Sequence, residues 1–167
     1  MQFKKSLMTA TMLTLGGFAA MSANAESPTT DTFDVTMTVA SNCTVVAGDT
    51  ISLGTVDAGV TPAIGMSTLN VACSTGTPYT ISMLPSATNS AGLGTMKGTL
   101  LNEDTIEYQM TSDSAGETPW TDDSQGGTGA GMGTNIPHEV YAKVTATNLA
   151  IVKPDVYTET VTVSVAY

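Results

Sequence analysis

Apolar and polar residues alternate along the last eleven residues of the chain, 157–167. Tyr157, Val161, Val163, Val165 and Tyr167 fall on one face of this segment, and small residues, mainly threonine, fall on the other. Because successive side chains of a strand point to opposite faces of a sheet, a period of two in β-branched and aromatic residues indicates a strand. The pattern predicts one amphipathic strand over residues 157–167.

A second alternating segment, called the N-terminal segment below, covers residues 33–39. Aspartate and threonine separate its four apolar residues, which are Phe33, Val35, Met37 and Val39. The spacing again predicts a strand with one apolar face. This strand precedes the first cysteine, Cys43, and is separated from it by three residues, 40–42.

Further short runs rich in β-branched and apolar residues lie between these two segments, at 42–46, 51–56, 66–73, 78–84, 95–101, 105–110 and 139–146. Turn-forming residues separate the runs, and residues 111–135 are rich in Gly, Ser, Thr and Asp, which is typical of a long surface loop. No helical periodicity of useful length is present after the first 25 residues. Several short strands at this spacing predict an all-β sandwich.

The first 25 residues have the layout of a secretory signal peptide. Lys4 and Lys5 are followed by an apolar stretch, and small residues occupy 23 and 25, at the expected cleavage site. The sequence therefore predicts a signal peptide at 1–25, an N-terminal extension at 26–41 and one β-sandwich domain at 42–167. The expected location of the mature protein is outside the cytoplasm.

The chain after residue 25 is strongly acidic. It has three lysines, no arginine and 15 acidic residues, which give a net charge of −12. Proteins that bind nucleic acid contact its phosphates with Lys and Arg. We therefore expect no nucleic-acid partner, and a basic protein partner suits this charge better. An acidic surface also keeps an exported protein soluble.

The chain has two cysteines, Cys43 and Cys73. A lone pair of cysteines in an exported protein usually forms a disulfide, so we expect a bridge between two neighbouring strands. Closing a loop of 30 residues stabilises a fold by roughly 3–4 kcal/mol.

Few residues could support catalysis or cofactor binding. His138 is the only histidine, and the sequence contains no G-x-S-x-G motif around which a hydrolase could be built. The glycine-rich run at 126–133 lacks the register and the lysine of a nucleotide-binding loop, and we interpret it as surface loop. We expect neither enzymatic activity nor a cofactor or metal ion.

The final strand ends at the last residue of the sequence. If it is the penultimate strand of an immunoglobulin-like sandwich, the closing strand is missing, and an apolar groove with unpaired backbone groups is exposed. The N-terminal segment of another copy could fill such a groove by strand addition. Alternatively, the N-terminal segment is an ordinary edge strand of its own domain.

The chain resembles the spore coat protein U domain family, which includes the subunits of archaic, Csu-type chaperone–usher pili. The resemblance rests on several runs in a fixed order and on the terminal tyrosine; the runs include Asn42-Cys43-Thr44-Val45, Val71-Ala72-Cys73, Pro78-Tyr79-Thr80-Ile81 and Thr158-Glu159-Thr160-Val161. It implies an incomplete immunoglobulin-like sandwich that lacks its final strand and is completed by donor-strand exchange.

The resemblance also implies roles for individual residues. The donor side chains are Phe33, Val35, Met37 and Val39, and Cys43 and Cys73 form the family disulfide. The acceptor groove and the surface that a chaperone recognises involve Val161, Val163, Val165 and Tyr167. The implied partners are other pilus subunits, a periplasmic chaperone and an outer-membrane usher.

The function that we predict is that of a structural pilus subunit, exported through the periplasm to the cell surface and serving adhesion and biofilm formation. Three alternatives remain at this point. One is a self-complete secreted binding domain that contacts a ligand through residues 111–135. The second is a spore or cell-surface coat protein of the same fold, and the third is a secreted hydrolase centred on His138.

Overall fold

The computed structural model of the chain describes residues 28–59, 62–85, 91–121 and 125–167. The predicted signal peptide at 1–25 lies outside these ranges. The chain divides into a unit ending at Met37 and a second unit, Thr38–Tyr167, which contains all the strands described. Within the described residues, no helix is long and apolar enough to cross a membrane.

The second unit consists of short strands and one helical turn. In chain order these elements are β1 (Cys43–Val46), β2 (Ala63–Cys73), β3 (Pro78–Leu84), β4 (Leu93–Gly98), β5 (Thr105–Thr111), β6 (Gln125–Thr128), β7 (Ile136–Val144), α1 (Ala146–Leu149), β8 (Tyr157–Thr158) and β9 (Thr162–Ala166). The prediction of an all-β protein is confirmed.

The strands form two antiparallel sheets. The larger sheet has six strands in the order β1-β2-β7-β5-β4-β8, and the smaller has three in the order β6-β3-β9. The inner faces of the two sheets bury a core with large side chains from both, among them Val71, Ile81, Met110 and Val144. Period-two patterning therefore specifies this architecture, because each alternating run presents one apolar face to the core.

The predicted loop at 111–135 contributes more to the fold than its composition indicates. Trp120, the only tryptophan, is 1% exposed, and its Nε1 donates to the carbonyl oxygen of Ile81 at 3.4 Å. Gln125–Thr128 forms β6 and pairs with β3, with Gly127 opposite Tyr79. The interpretation of residues 126–133 as surface loop was therefore wrong for the first three of them.

Three strand predictions differ from the structure, and one of them is the N-terminal segment at 33–39, which forms no strand. Residues 51–56 form no strand, although Ile51 and Leu53 pack against the core. Residues 157–167 are not one strand: β8 belongs to the larger sheet and β9 to the smaller, and residues 159–161 connect them. A period of two indicates which face a residue occupies, but it carries no information about which sheet a strand joins.

The predicted disulfide is present between Cys43 and Cys73. These residues are direct partners in the β1–β2 ladder, with Cα atoms 4.1 Å apart, and Cys73 is completely buried. Beside the bridge, the backbone N–H of Ser74 donates to the carbonyl oxygen of Asn42 at 2.9 Å. The start of β1 is thus fixed covalently and by hydrogen bonds to the end of β2.

Replacing both cysteines with alanine should lower the free energy of unfolding by about 3–4 kcal/mol, because the unfolded chain regains the freedom of an open loop. Urea unfolding followed by the fluorescence of Trp120 measures this change. A reducing agent should destabilise the wild type and leave the double variant unaffected. Equal stability of the two oxidised proteins would contradict the prediction.

A hydrogen bond between Tyr79 and His138 links the two sheets. The Tyr79 hydroxyl lies 2.9 Å from Nε2 of His138, and the two rings meet edge to face at an interplanar angle of 84°. Tyr79 belongs to β3 and His138 to β7. Burial lowers the pKa of His138, so the folded protein favours the neutral imidazole. The only histidine thus occupies a packed position between strands.

The stability of the protein should therefore fall as the pH decreases from 7.5 to 5.5. A histidine in the unfolded chain has a pKa of about 6.5. Because the folded-state pKa of His138 is lower, the unfolded state binds the proton first, and stability is lost as the pH falls below the unfolded value. Unperturbed carboxyl groups titrate near pH 4, mostly below this window.

The His138→Gln variant provides the comparison, since glutamine places a hydrogen-bonding nitrogen or oxygen near the position of Nε2 but does not titrate in this range. Urea unfolding at several pH values should give a flatter profile for the variant than for the wild type. Profiles with the same slope would show that the protonation of His138 does not cause the loss of stability at lower pH.

Candidate functional site

An apolar groove, called the open groove below, lies against the inner face of the six-stranded sheet within Thr38–Tyr167. Its volume is about 420 Å³. The floor consists of side chains from β2, β4, β5 and β7, namely Leu69, Met96, Tyr108, Met110, Val140 and Ala142. Residues 47–51 and Leu53 lie along it, as do residues 157–161 and Val163. Met83 of β3 also lines the groove.

Residues 157–161 and Val163 form one wall of the open groove, and the alternation along residues 157–166 determines which of their side chains face it. The odd-numbered residues are partly buried and the even-numbered ones are exposed, as the sequence predicts. Val161 and Val163 line the open groove, whereas Val165 packs against the core and does not line the groove. Tyr167 follows the end of β9 and is 60% exposed. The structure thus brings two of the four predicted acceptor residues to the groove.

Strand β9 lies at the edge of its sheet. It pairs with β3 from Thr162 to Ala166, and none of the described strands forms a ladder with its other edge. That other edge offers backbone N–H and C=O groups to an added strand. Its core-facing valines, Val163 and Val165, are only partly buried. An incoming strand could therefore gain both hydrogen bonds and apolar contacts here.

The other wall, residues 47–53, is attached to β2 without a strand ladder. The Ser67 hydroxyl donates to the carbonyl oxygen of Asp49 at 2.6 Å. Gly48 packs directly on the carbonyl group of Thr68, and any Cβ at this position would overlap the carbonyl oxygen. Ile51, which lines the groove, is partly buried. Close backbone packing therefore fixes this wall on β2.

Glu159 holds the chain where it passes from one sheet to the other. Strand β8 pairs with β4 at only two positions, Lys97 and Gly98. One residue further along, Oε2 of Glu159 accepts the backbone N–H of Thr95 at 2.9 Å. A side-chain carboxylate thus occupies the place on β4 that a continuing strand would have taken.

Tyr108 lies near this carboxylate. Burial raises the pKa of Tyr108, and the negative charge of Glu159 raises it further, so the phenol stays protonated. The Tyr108 hydroxyl is buried and has no hydrogen-bond partner among the described residues. The Tyr108 ring lies over Gly94, the opposing residue on β4, and any Cβ there would overlap the ring. The sequence reasoning missed Glu159, although it is the one charged residue at an inward position of the final alternating segment.

The N-terminal segment forms no strand in the structure. Its four apolar side chains are between 76% and 87% exposed. Val39 is part of the second unit, whereas Phe33, Val35 and Met37 are part of the first. Four exposed apolar side chains with a spacing of two form a strip that normally marks an interaction site.

The chemistry of the open groove is that of a binding site for apolar groups. Among the described residues that line it, Glu159 and Asp49 are the charged ones, and the Glu159 carboxylate already accepts a hydrogen bond. Among the described residues there is no group of three or more His, Cys, Asp or Glu that could hold a metal ion. His138 does not line the groove.

Replacing Glu159 with alanine should destabilise the protein by about 1–3 kcal/mol, because the part-buried Thr95 N–H loses its acceptor. Glu159→Gln, which keeps an accepting oxygen, should cost less. Urea unfolding monitored by Trp120 fluorescence measures both variants.

Glu103→Ala is the matched control. Glu103 forms a surface ion pair with Lys97 at 3.5 Å, and its side chain is 87% exposed. Its removal should change the stability by about 0.5 kcal/mol or less. If Glu159→Ala lowered the free energy of unfolding no more than this control does, the hydrogen bond of Glu159 would not stabilise the fold and the prediction would be refuted.

Twelve chains of solved structures match this protein. One is in the crystal structure of the CsuC–CsuE chaperone–tip adhesion subunit pre-assembly complex from archaic chaperone–usher Csu pili of Acinetobacter baumannii. That match has a TM-score of 0.55 and 24% sequence identity, and it covers 78% of this chain and 40% of the other. The similarity shows a shared fold.

A second match is in a chaperone–tip adhesin complex described for the biogenesis of CFA/I fimbriae, with a TM-score of 0.46 and 12% identity. It covers 74% of this chain and 41% of the other. The protein therefore spans about two fifths of the length of each of these two chains. No curated protein matches the sequence significantly.

The sequence itself matches a known protein family over residues 29–164, which include the N-terminal segment and most of the β-sandwich. The description of this family is "Spore Coat Protein U domain". The match covers most of the 167 residues and confirms the resemblance inferred from the sequence. The protein belongs to the Spore Coat Protein U domain family.

Proposed function

We propose that this protein is a structural, non-enzymatic subunit of an archaic chaperone–usher pilus. In this proposal, the N-terminal segment of one copy enters the open groove of the next and completes its sandwich as the missing final strand. Two features of the same chain carry the proposal. One is the edge of β9, which pairs with none of the described strands on that side and lies beside an apolar groove. The other is the exposed, alternating N-terminal segment.

The dimensions of the two parts are compatible. The four apolar side chains of the N-terminal segment span six residue steps, from Phe33 to Val39, or about 20 Å at about 3.4 Å per residue. Strand β9 has five residues, Thr162–Ala166, of which Val163 and Val165 face inward. A strand added along β9 could therefore pair with its whole length and extend past it, with its four apolar side chains on one face.

Burial of apolar surface favours this contact between the N-terminal segment of one copy and the open groove of the next, which is called the joint below. Burying one large apolar side chain contributes about 1.5–3 kcal/mol, and four such side chains are exposed in the N-terminal segment. Backbone hydrogen bonds to β9 add directionality and register. Because each copy would carry one donor and one acceptor, the contact is head to tail and extends into a fibre instead of closing.

The same features support a chaperone and an usher as partners. An open apolar groove beside a free strand edge favours aggregation before assembly, so a temporary strand supplied by a chaperone would protect it. The net charge of −12 after residue 25 suits a basic chaperone cleft, and the exposed Tyr167, which follows β9, is a suitable contact for it. The matched CsuC–CsuE structure is itself a complex of a chaperone with a subunit.

The proposed location is the cell surface, reached through the periplasm, where the fibre would serve adhesion and biofilm formation. The family description also favours a second candidate, a surface coat protein. A coat built through the same joint would use the same residues and would differ in the form of the assembly, which electron microscopy of surface material distinguishes.

Deleting residues 32–39 tests the joint. The truncated subunit should still be bound by its chaperone but should not form polymers, because it can accept a strand but cannot donate one. Unboiled samples on an SDS gel should show a ladder for the wild type, which collapses on boiling, and no ladder for the deletion. A normal ladder from the deleted protein would overturn the proposal.

Point substitutions locate the two halves of the joint. Val35→Asp should abolish the ladder because it places a charge on the apolar face, whereas Thr36→Asp, on the opposite face, should preserve it. In the groove, Val163→Asp should abolish the ladder and Ser164→Asp should preserve it, since Val163 lines the groove and Ser164 is exposed. If the two substitutions of either pair changed the ladder equally, the donor strand would not dock with its apolar face towards the groove, and the proposal would be contradicted.

A further inference from the structure

We propose that Met37 and Met96 are paired oxidation sites at the joint between subunits. Oxidation of either thioether in an unassembled subunit blocks docking of the strand, and assembly protects both. This inference rests on the proposed function, because it assigns one methionine to the donor and the other to the acceptor.

The distribution of methionine supports the pairing. Six methionines follow residue 25, and all of them are described in the structure. Three of them line the open groove, namely Met83, Met96 and Met110. A fourth, Met37, is one of the four apolar residues of the N-terminal segment. The two that remain, Met66 and Met132, do not line the open groove.

Exposure selects which of these residues an oxidant reaches. Met83 and Met110 are each only 2% exposed, so they lie beneath the surface of the groove floor. Met96 is partly exposed, which makes it the accessible methionine of the floor. Met37 is 85% exposed and is the most accessible methionine among the described residues. Each half of the joint therefore carries one reactive thioether.

The reaction needs a peroxide as the oxidant, and hydrogen peroxide is the simplest. The Sδ atom attacks one peroxide oxygen, the O–O bond breaks, an S–O bond forms and water leaves. The sulfur loses two electrons and the peroxide gains them, so atoms and charge balance. The product, methionine sulfoxide, has a polar oxygen where an apolar sulfur was.

Docking of a strand removes the water that solvates this oxygen. Before docking, the sulfoxide oxygen on Met96 is hydrated, because the groove is open to solvent. After docking it lies on a floor that consists mainly of apolar side chains, among them Leu69, Met110, Val140 and Ala142. A buried polar group without a hydrogen bond is destabilising. The same holds for Met37 when it enters a neighbouring groove, so oxidation at either site should weaken docking about tenfold or more.

The first experiment compares oxidation rates before and after assembly. Full-length subunits, freshly refolded and dilute, and assembled polymers are treated with hydrogen peroxide, and the oxidation of each methionine is followed by mass spectrometry of peptides. Met37 and Met96 should react in the free subunit and be protected in the polymer. Met66 and Met132, which are 52% and 42% exposed, are the internal references and should react in both.

The second experiment tests the consequence of oxidation. Wild-type subunits oxidised before assembly should form far fewer polymers, and methionine sulfoxide reductases should restore assembly. Met37→Leu combined with Met96→Leu should lose the response to the oxidant, so that treated and untreated samples of this variant form equal amounts of polymer, since leucine has a similar volume and cannot be oxidised. The matched control, Met66→Leu combined with Met132→Leu, should remain sensitive.

The outcomes separate this inference from the proposed function. If oxidised wild-type subunits assemble as well as untreated ones, the oxidation sites are refuted and the joint stands. If the polymer forms but Met37 and Met96 react as fast in it as in the free subunit, the joint itself is refuted. If the leucine double variant is as sensitive as the wild type, another oxidised residue is responsible and the inference is wrong.

Discussion

The structure depends on how backbone hydrogen bonds are distributed at the edges of its two sheets. Strand β9 is paired with β3 on one side, and none of the described strands forms a ladder with its other side. An edge strand normally tolerates this when it is short, charged or covered. Here the edge lies beside an apolar groove instead, and the valines that face the core are only partly buried. The residues that build the core of this sandwich are therefore also the residues that remain available for binding.

Glu159 shows how a side chain replaces a strand hydrogen bond at the place where the chain changes sheets. The chain leaves β4 after two paired residues, and the carboxylate then accepts the N–H of Thr95 in place of a backbone carbonyl. The neutral phenol of Tyr108 lies near the same carboxylate, and Gly94 leaves room for its ring. This contact with β4 allows residues 157–166 to contribute to both sheets.

Much of this fold could be predicted from the sequence because alternation reports directly on side-chain burial. The inward positions of residues 157–165 and the Cys43–Cys73 bridge were predicted correctly. The division into β8 and β9 could not be predicted, since both strands share one unbroken period. Strand β6 was hidden by its two glycines, which have a low intrinsic preference for strands and still pair well where Tyr79 covers them. The assignment of the N-terminal segment as a donor stays a prediction, because strand addition depends on a second molecule.

The disulfide has a consequence for mechanical load. Tension applied to the chain before Cys43 does not have to pass through the four residues of β1, because the bridge transfers it directly to Cys73. Cys73 is the buried end of β2, the longest strand, which is paired with β7 along nine positions. A pull on the N-terminal segment would therefore be resisted by the centre of the larger sheet, with many hydrogen bonds sharing the force. The disulfide thus attaches the chain that carries the exposed N-terminal segment directly to β2.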